Sequence, residues 1–502
     1  MQKPNDNNGN KDTGEKDIKE ILDLMVSYES PDVALITKAY KFAREAHIEH
    51  KRMSGEPYLI HLVGTAKNLA QMKADPQTVA AGLLHDTLED TGTSSEGLQK
   101  EFGDDIVFLV QGVTKLGKIK YQGIERHAES LRKLFIATAK DIRVILIKLA
   151  DRLHNISTLQ YVKSEKRRRI ALETIDIYAP VANRLGMGQM KGALEDAAFP
   201  YAYPEEFDNT TKLRQIKNQE VLRNLEDIQH VLRKRLAKDN LTNIRTDFRV
   251  KHIYSLHKKL ERHNMDIERI HDMAALRIIV PTIEDCYRVL GIIHNTWRPL
   301  PGTMKDYIAV PKINGYQSIH TVIFTGNGGI VEIQIRTQKM HDEAEYGIAS
   351  HLAYDELGKP DSGGLLGKKL RWLNQLIEWQ KSVKGPREFL ENIQTDFFVD
   401  QIFVFTPKGD VIELPQSSTP IDFAFMIHSD LGNHVAGAKI NGKFMSLDTK
   451  LKNGDIIEIQ SRDNSKPSYK WLEFAKTGMA KRRIRAALAE QEEAKKKTLR
   501  TK

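Results

Sequence analysis

The chain has 502 residues, more than one ordinary hydrophobic core accommodates, so several domains are expected. Charged residues make up 28% and aromatics 7%, an ordinary globular composition. No apolar run approaches the ~20 residues that span a bilayer, which excludes a membrane-spanning helix and predicts no membrane partner. The net charge is +9, and residues 476–502 hold ten Lys/Arg against three Asp/Glu, so this segment alone supplies +7. A basic segment of this kind can hold phosphates or nucleic acid by electrostatics, or be a solvated helix end.

The N-terminus, MQKPNDNNGNKDTGEKD, lacks the apolar stretch of a secretory signal, and residues 1–31 read as a disordered tail. The lone cysteine, Cys286, excludes an intrachain disulfide, reads as a core thiol, and fits a reducing cytoplasm. From Asp32 to Phe199 the runs PDVALITKAYKFAREAH, PQTVAAGLLHDTLED, SLRKLFIATAKDIRVILIKLADRLHN and KRRRIALETIDIYAPVANRL repeat apolar residues at helical steps. This predicts an all-α domain over 32–200. A charged connecting helix follows over 201–242.

The texture changes near Asn243. NIRTDFRV, AALRIIVP, YIAVP, SIHTVIF and VEIQIRT read as strands, with helices over 253–261 and 283–295, giving an α+β domain over 243–355. A Gly-rich break and a Trp-containing helix occupy a linker over 356–399. QIFVFTPKGDVIEL, PIDFAFMIH, HVAGAKING and GDIIEIQ then read as ββαββ, a β-grasp module over 400–462. A basic helical tail covers 463–502.

Two groups of residues carry chemistry. His85-Asp86 follows apolar AAGLL, and adjacent helical side chains diverge by about 100°, so both reach one ion only at a helix edge. His61 and Asp151 sit in other apolar helical runs and could complete the site. Imidazole nitrogens with carboxylate oxygens suit Mn²⁺, Fe²⁺ or Zn²⁺. Glu89 shares the face of His85, and with Asp90 it could activate a metal-bound water. In the second group, Arg249, Lys251, His252, Lys258 and Lys259 lie at a strand-to-helix junction that offers N–H groups to phosphates. Asp272 and Glu332, from separate strands, could hold Mg²⁺ against a triphosphate polarised by Arg277 or Arg249. Tyr316, beside Gly315, could stack on a base. No P-loop signature is present.

The strings SGEPYLIH, AAGLLHDTLEDT, EFGDDIVFLVQGVTKLGKIKY and AKDIRVILIKLADRLHN resemble the HD hydrolase domain of long RelA/SpoT stringent-response enzymes. The resemblance implies His61, His85, Asp86 and Asp151 as ligands of Mn²⁺, Glu89 and Asp90 as the water-activating pair, and Arg52, Asn155 and Thr158 as nucleotide contacts. Met53 and Ser157 stand where basic residues are common. KHIYSLHKKL, PKINGYQSIH, VEIQIRT and MHDEAEYGIASH resemble the family's nucleotidyltransferase-like synthetase domain. That implies Asp272 and Glu332 on Mg²⁺, with Glu332 also serving as base. It implies Arg249, Lys251, Ser255, Lys259 and Arg277 around the phosphates, and Tyr316 on guanine with Lys305, Lys312, Asn314 and His320 nearby. Thr303-Met304-Lys305-Asp306 lacks the arginine of the Arg-x-Lys-Asp pattern.

VFTPKGDVIELP and LKNGDIIEI resemble a TGS domain, which implies uncharged tRNA and the ribosome as partners, with Asn433-His434 as a contact. The implied protein is multidomain: an all-α HD hydrolase, an α+β synthetase and a β-grasp TGS module. Its implied reactions remove the 3′-pyrophosphate of guanosine tetra/pentaphosphate, (p)ppGpp, and move pyrophosphate from ATP to GDP or GTP. A hydrolase-dominant enzyme is one alternative, and a tRNA- or ribosome-binding regulator is the other.

Overall fold

The computed structural model describes residues 9–25, 29–114, 123–270, 272–312, 314–326, 329–352 and 401–500, plus isolated positions between 373 and 390. The predicted linker over 356–399 and the string KLGKIKY lie almost wholly outside these residues. The chain divides into two compact units, 1–378 and 379–502.

Apolar residues at three- and four-residue steps wind the first part of unit one into helices. These are α1 (Gly9–Leu24), α2 (Ser30–Ala46), α3 (Leu59–Gln71), α4 (Pro76–Leu84), α5 (Thr87–Asp90), α6 (Ser95–Val113), α7 (Gly123–Lys140), α8 (Arg143–Ser157), α9 (Ser164–Glu173), α10 (Ala179–Arg184) and α11 (Gly188–Ala202). Helix α4 starts where Asp75 accepts from Thr78 N and Pro76 takes the first turn. Leu62, Leu69, Leu83, Leu84, Leu146 and Leu149 are fully buried at the centre of this bundle. The expected disordered tail is corrected over residues 9–24. Helix α1 packs on α3, Ile21 is fully buried, and Lys67 pairs with Glu20.

Helix α12 (Pro204–Lys238) is more than the charged connector the sequence suggested. Leu225, Ile228, Leu232 and Leu236 share one face and enter the core of the domain that follows. That domain holds β1 (Arg245–Val250), α13 (Ile253–Arg262), β2 (Ala274–Val280), α14 (Ile283–Thr296), β3 (Lys305–Asp306), β4 (Ile319–Phe324), β5 (Ile330–Thr337), α15 (Gln338–Tyr346) and α16 (Ile348–Leu352). The sheet order is β1-β2-β5-β4-β3, with β2 and β5 parallel and the other pairs antiparallel. The segment YIAVP, predicted as a strand, is instead a turn. Asp306 Oδ1 accepts from Ile308 N and Ala309 N, each at 2.9 Å, and this local capture competes with pairing.

Register sorts the sheet into two faces. Leu276, Ile278, Ile333 and Ile335 point to α12 and α14 and form the core. Arg249, Asp247, Arg277, Glu332, Gln334 and His320 alternate onto the other face. The two halves of this unit touch closely. Ile348 N donates to Leu185 O at 3.0 Å, and a Cβ at Gly347 would lie 2.3 Å from that same oxygen.

Unit two holds β6 (Gln401–Phe405), β7 (Val411–Pro415), α17 (Pro420–Ile427), α18 (Ser429–Asn433), β8 (Val435–Ile440), β9 (Lys443–Met445), β10 (Ile457–Ser461), α19 (Lys470–Phe474) and α20 (Gly478–Arg500). Phe423 of α17 packs against Ile402, Val404, Leu414 and Ile457 of the sheets, the grasp that the sequence pattern predicts. The opposite side of α17, with Ile421 and Phe425, packs on Trp471, Ile484 and Leu488. The basic segment is therefore anchored through its apolar stripe rather than trailing as a tail. Asp422, fully buried, joins the two parts. Its carboxylate accepts from Thr419 N at 2.9 Å on one side and from Thr477 N at 2.8 Å and Thr477 Oγ1 at 2.9 Å on the other. Removing that acceptor leaves buried N–H groups unpaired, at roughly 1–3 kcal/mol each. We expect Asp422→Ala to speed hydrogen exchange of amides 477–488, with those of α8 unchanged. Equal protection in both proteins would show that α20 is held by its apolar face alone.

Candidate metal centre and nucleotide site

Four side chains from α3, the α4–α5 junction and α8 converge. His61 Nε2 lies 3.4 Å from Asp86 Oδ2 and 3.3 Å from Asp151 Oδ1. His85 Nε2 lies 3.1 Å from Asp86 Oδ2 and 3.7 Å from Asp151 Oδ1. His85 and Asp86 do not sit within one helix, as the sequence suggested. They fall where α4 ends and α5 begins, with Asp86 at φ −97° and ψ −2°. That break lets neighbouring side chains meet at one point. His61, His85 and Asp86 alone meet the spacing for a shared cation among the described residues, and Asp151 lies within 3.7 Å of both histidines.

The donor set fits a divalent cation. Ligands at about 2.2 Å from one ion and about 90–115° apart lie roughly 3.1–3.7 Å from each other, the spacing seen here. His85 Nδ1 donates to Gly82 O at 2.8 Å, which turns Nε2 inward, where it is buried without an aligned hydrogen-bond partner. Burial opposes charge on His85, yet Asp86 and Asp151 outweigh it and lift its pKa to about 10. Burial likewise opposes ionisation of Asp151, and Lys148 with the two histidines holds it well below the usual carboxylate range. A field that favours positive charge at this point favours a cation.

Three supporting residues went unread in the sequence. Lys148 Nζ donates to Asp151 Oδ2 at 2.8 Å. His154 Nδ1 lies 3.0 Å from His61 Nδ1 and 3.0 Å from Arg52 Nη1. Burial, then His61 and Arg52, push the His154 pKa down to about 3, so its ring is neutral and accepts both bonds. The His61 Nδ1–H is thereby used and Nε2 is left for the centre. A Cβ at Gly64 would lie 2.0 Å from the His154 ring, so glycine makes this arrangement possible. Tyr58 Oη reaches Asp86 Oδ2 at 2.7 Å and Asp90 Oδ2 at 2.9 Å. All three stand three residues from a ligand, a helical spacing that marks a shared face.

A cavity of about 740 Å³ opens beside the centre. Asp151 is the one donor of the four that lines it, with Glu89, Arg52, Asn155, Thr158, Lys166 and Arg169, while Asp90, expected beside Glu89, is not among its lining residues. Met53 lies at the same cavity, 65% exposed, while Ser157 bonds back to His154 O and is not among its lining residues. Arg52 Nη2 donates to Asn155 Oδ1 at 2.8 Å.

The polar face of the sheet bears a second cavity of about 430 Å³, lined by Arg249, Lys251, Lys259, Asp272, Lys305, Lys312, His320 and Glu332 among others. Lys251 and Lys259 hold Asp272 at 2.5 and 2.7 Å, and against its burial they lower its pKa to about 2. Glu332 Oε1 accepts from His320 Nδ1 at 2.7 Å. Tyr316 Oη donates to His320 Nε2 at 2.8 Å, which fixes the tautomer of that ring. The Lys312 ammonium lies 4.9 Å from the centre of the Tyr316 ring. Asn314 Oδ1 accepts from Tyr316 N, and its amide donates to Asn183 O.

Four residues expected in this cavity, Arg277, Ser255, Tyr316 and Asn314, are not among its lining residues. Arg277 pairs with Glu345 at 3.2 Å and Asp247 at 3.6 Å. Ser255 Oγ faces Glu195 at 3.5 Å. The N-terminus of α13, read as a phosphate seat, is already capped. Asp196 of α11 accepts from Tyr254 N at 3.1 Å and from His252 Nδ1 at 2.7 Å.

This architecture defines a class: a helical domain with a His/Asp cluster and a mixed-sheet domain with a basic cavity in one unit, and a β-grasp domain in the other. The chain matches the HD domain over residues 39–188, the region found in RelA/SpoT proteins over 248–359, and the TGS domain over 402–461. It is 47% identical to a guanosine-3′,5′-bis(diphosphate) 3′-pyrophosphohydrolase of Aquifex aeolicus, over 95% of this chain and 68% of that protein. It is 46% identical to a GTP pyrophosphokinase of Myxococcus xanthus (93% and 62%) and 43% identical to a pyrophosphohydrolase of Haemophilus influenzae (88% and 65%). The chain thus spans about two thirds of the length of these relatives. It belongs to the long RelA/SpoT family. Among the described residues, no helix is long and apolar enough to cross a membrane.

If the four donors hold one ion, Mn²⁺ should raise the melting midpoint of the parent protein and leave that of Asp151→Asn unmoved, because a ligand that binds only the folded state stabilises it. Equal shifts in the two proteins would place metal binding elsewhere.

Proposed function

We propose that this chain is a bifunctional enzyme that both removes and installs the 3′-pyrophosphate of (p)ppGpp. The observation that carries this reading is the four-donor centre whose Asp151 also lines a cavity shared with Arg52, Lys166 and Arg169. That pairing of a metal site with a polyphosphate-sized basic cleft suits phosphoester hydrolysis. We assign Mn²⁺ to it, since two imidazoles and two carboxylates leave octahedral positions open, unlike a closed structural zinc site. The ion would supply an activated water and charge compensation. Glu89 and Asp90 accept the water's proton as its oxygen attacks the phosphorus bonded to the ribose 3′-oxygen. The P–O3′ bond breaks, pyrophosphate leaves, and the 3′-oxygen takes up a proton. Arg52, Asn155 and Thr158 hold the nucleotide.

In the second site, Asp272 and Glu332 would hold Mg²⁺, which offsets triphosphate charge. Both carboxylates are held ionised, as a cation ligand must be. Arg249, Lys251 and Lys259 bind the phosphates of ATP. Lys305 and Lys312 face the acceptor, GDP or GTP, whose base stacks on Tyr316. Glu332 takes the proton of the ribose 3′-OH as that oxygen attacks the β-phosphorus of ATP. The bond from β-phosphorus to the α–β bridging oxygen breaks and AMP leaves. The lone cysteine and these substrates fit a cytoplasmic enzyme. In unit two, Arg483 and Arg485 are exposed on α20 and His434 closes α18. We assign these to uncharged tRNA on the ribosome.

Nucleotide chromatography after incubation with ATP, GDP and Mg²⁺, and separately with ppGpp and Mn²⁺, tests both activities. Glu332→Gln should lower transfer by at least about 10²-fold, the usual scale for losing one group that meets transition-state charge, while hydrolysis persists. Undiminished transfer in that variant would misplace the synthetase centre. Titration with deacylated tRNA should show affinity that falls steeply with salt and weakens in Arg483→Ala/Arg485→Ala. No binding at low salt would leave the enzyme answering to nucleotides alone.

A further inference from the structure

Tyr58 is the N-cap of α3, three residues before His61, and its ring is fixed on two sides. It stacks on His47 with centroids 5.0 Å apart and planes 8° apart, and it meets His61 edge-on at 5.7 Å. His47 is itself buried. The hydroxyl therefore has little freedom to move. It lies 2.7 Å from Asp86 Oδ2 and 2.9 Å from Asp90 Oδ2. The first of these oxygens also faces Nε2 of both His61 and His85. A phenol has one proton to give. With Asp86 Oδ2 committed to the metal centre, that proton goes to Asp90 Oδ2. Asp90 is then held at one oxygen, and its other oxygen is left to face water.

We propose that Tyr58 is a positioning residue for hydrolysis, its hydroxyl fixing the Asp90 carboxylate relative to the metal ligand Asp86. This rests on the reading of Asp90 as a water-activating group. A carboxylate at the end of a four-residue helix has several rotamers open to it, and a single hydrogen bond from a packed ring removes that freedom. Partners of this kind are worth about 10- to 100-fold in activity or metal affinity.

The test is a double-mutant cycle in the full chain with Mn²⁺ and ppGpp. Phe keeps the ring stacked on His47 and removes only the oxygen, so Tyr58→Phe should melt with the parent. We expect it to lower kcat for pyrophosphate release about 10- to 100-fold, with KM changed less than about threefold, since ground-state binding is untouched. In an Asp90→Asn background, Tyr58→Phe should cost nothing further, because the group it positions is already gone. Unchanged kcat in Tyr58→Phe, or a full additional loss on top of Asp90→Asn, would overturn the proposal. Normal hydrolysis by Asp90→Asn alone would instead remove the reading of Asp90 and the proposal with it. A purely structural role would lower the melting midpoint and multiply with Asp90→Asn.

Discussion

Two carboxylates set among apolar helices, Asp151 buried and Asp86 half-buried, must be neutralised, and much of the first unit is arranged to do it. An unpaired buried carboxylate costs several kcal/mol, more than a single hydrogen bond returns. Lys148 compensates one charge of Asp151. The remaining demand is met by two imidazoles turned inward by their own partners, Gly82 O for His85 and His154 for His61. The break between α4 and α5, the bare Cα of Gly64 and the neutral ring of His154 each follow from this one requirement. A cation among the four donors would complete it.

The second site answers the same problem with lysines. Asp272 sits between Lys251 and Lys259, and Glu332 ends a chain that runs from Tyr316 through His320. Glu332 and His320 stand on one face because the register of β5 and β4 places them there, while the other face is given to the core. The two sites share a unit through α11. Its Asp196 caps α13, whose first turn follows Lys251, and Gly192 leaves room for the His252 ring.

Much of this was legible in the sequence. Apolar periodicity pointed to α2, α4 and α5, and α7 to α10, and the candidate ligands stood out as polar residues in apolar runs. What remained hidden depended on tertiary pairing. Tyr58, Lys148 and His154 look like ordinary helix residues until the ligand three positions away is known. The inward face of α12 was masked by its charged outward face. The turn at Asp306 hid behind a β-like string, because one side-chain hydrogen bond pattern outweighed propensity there. Arg277 was expected at the phosphates, but Glu345 on α15, 68 residues further along the chain, holds it aside.

Anomalous X-ray diffraction at the manganese absorption edge, from crystals grown with Mn²⁺, tests without an assay whether the four donors hold one divalent ion. We expect a single peak at about 2.0–2.2 Å from His61 Nε2, His85 Nε2 and one oxygen each of Asp86 and Asp151. A folded protein with no peak among these four atoms, or with the ion bound elsewhere, would contradict it.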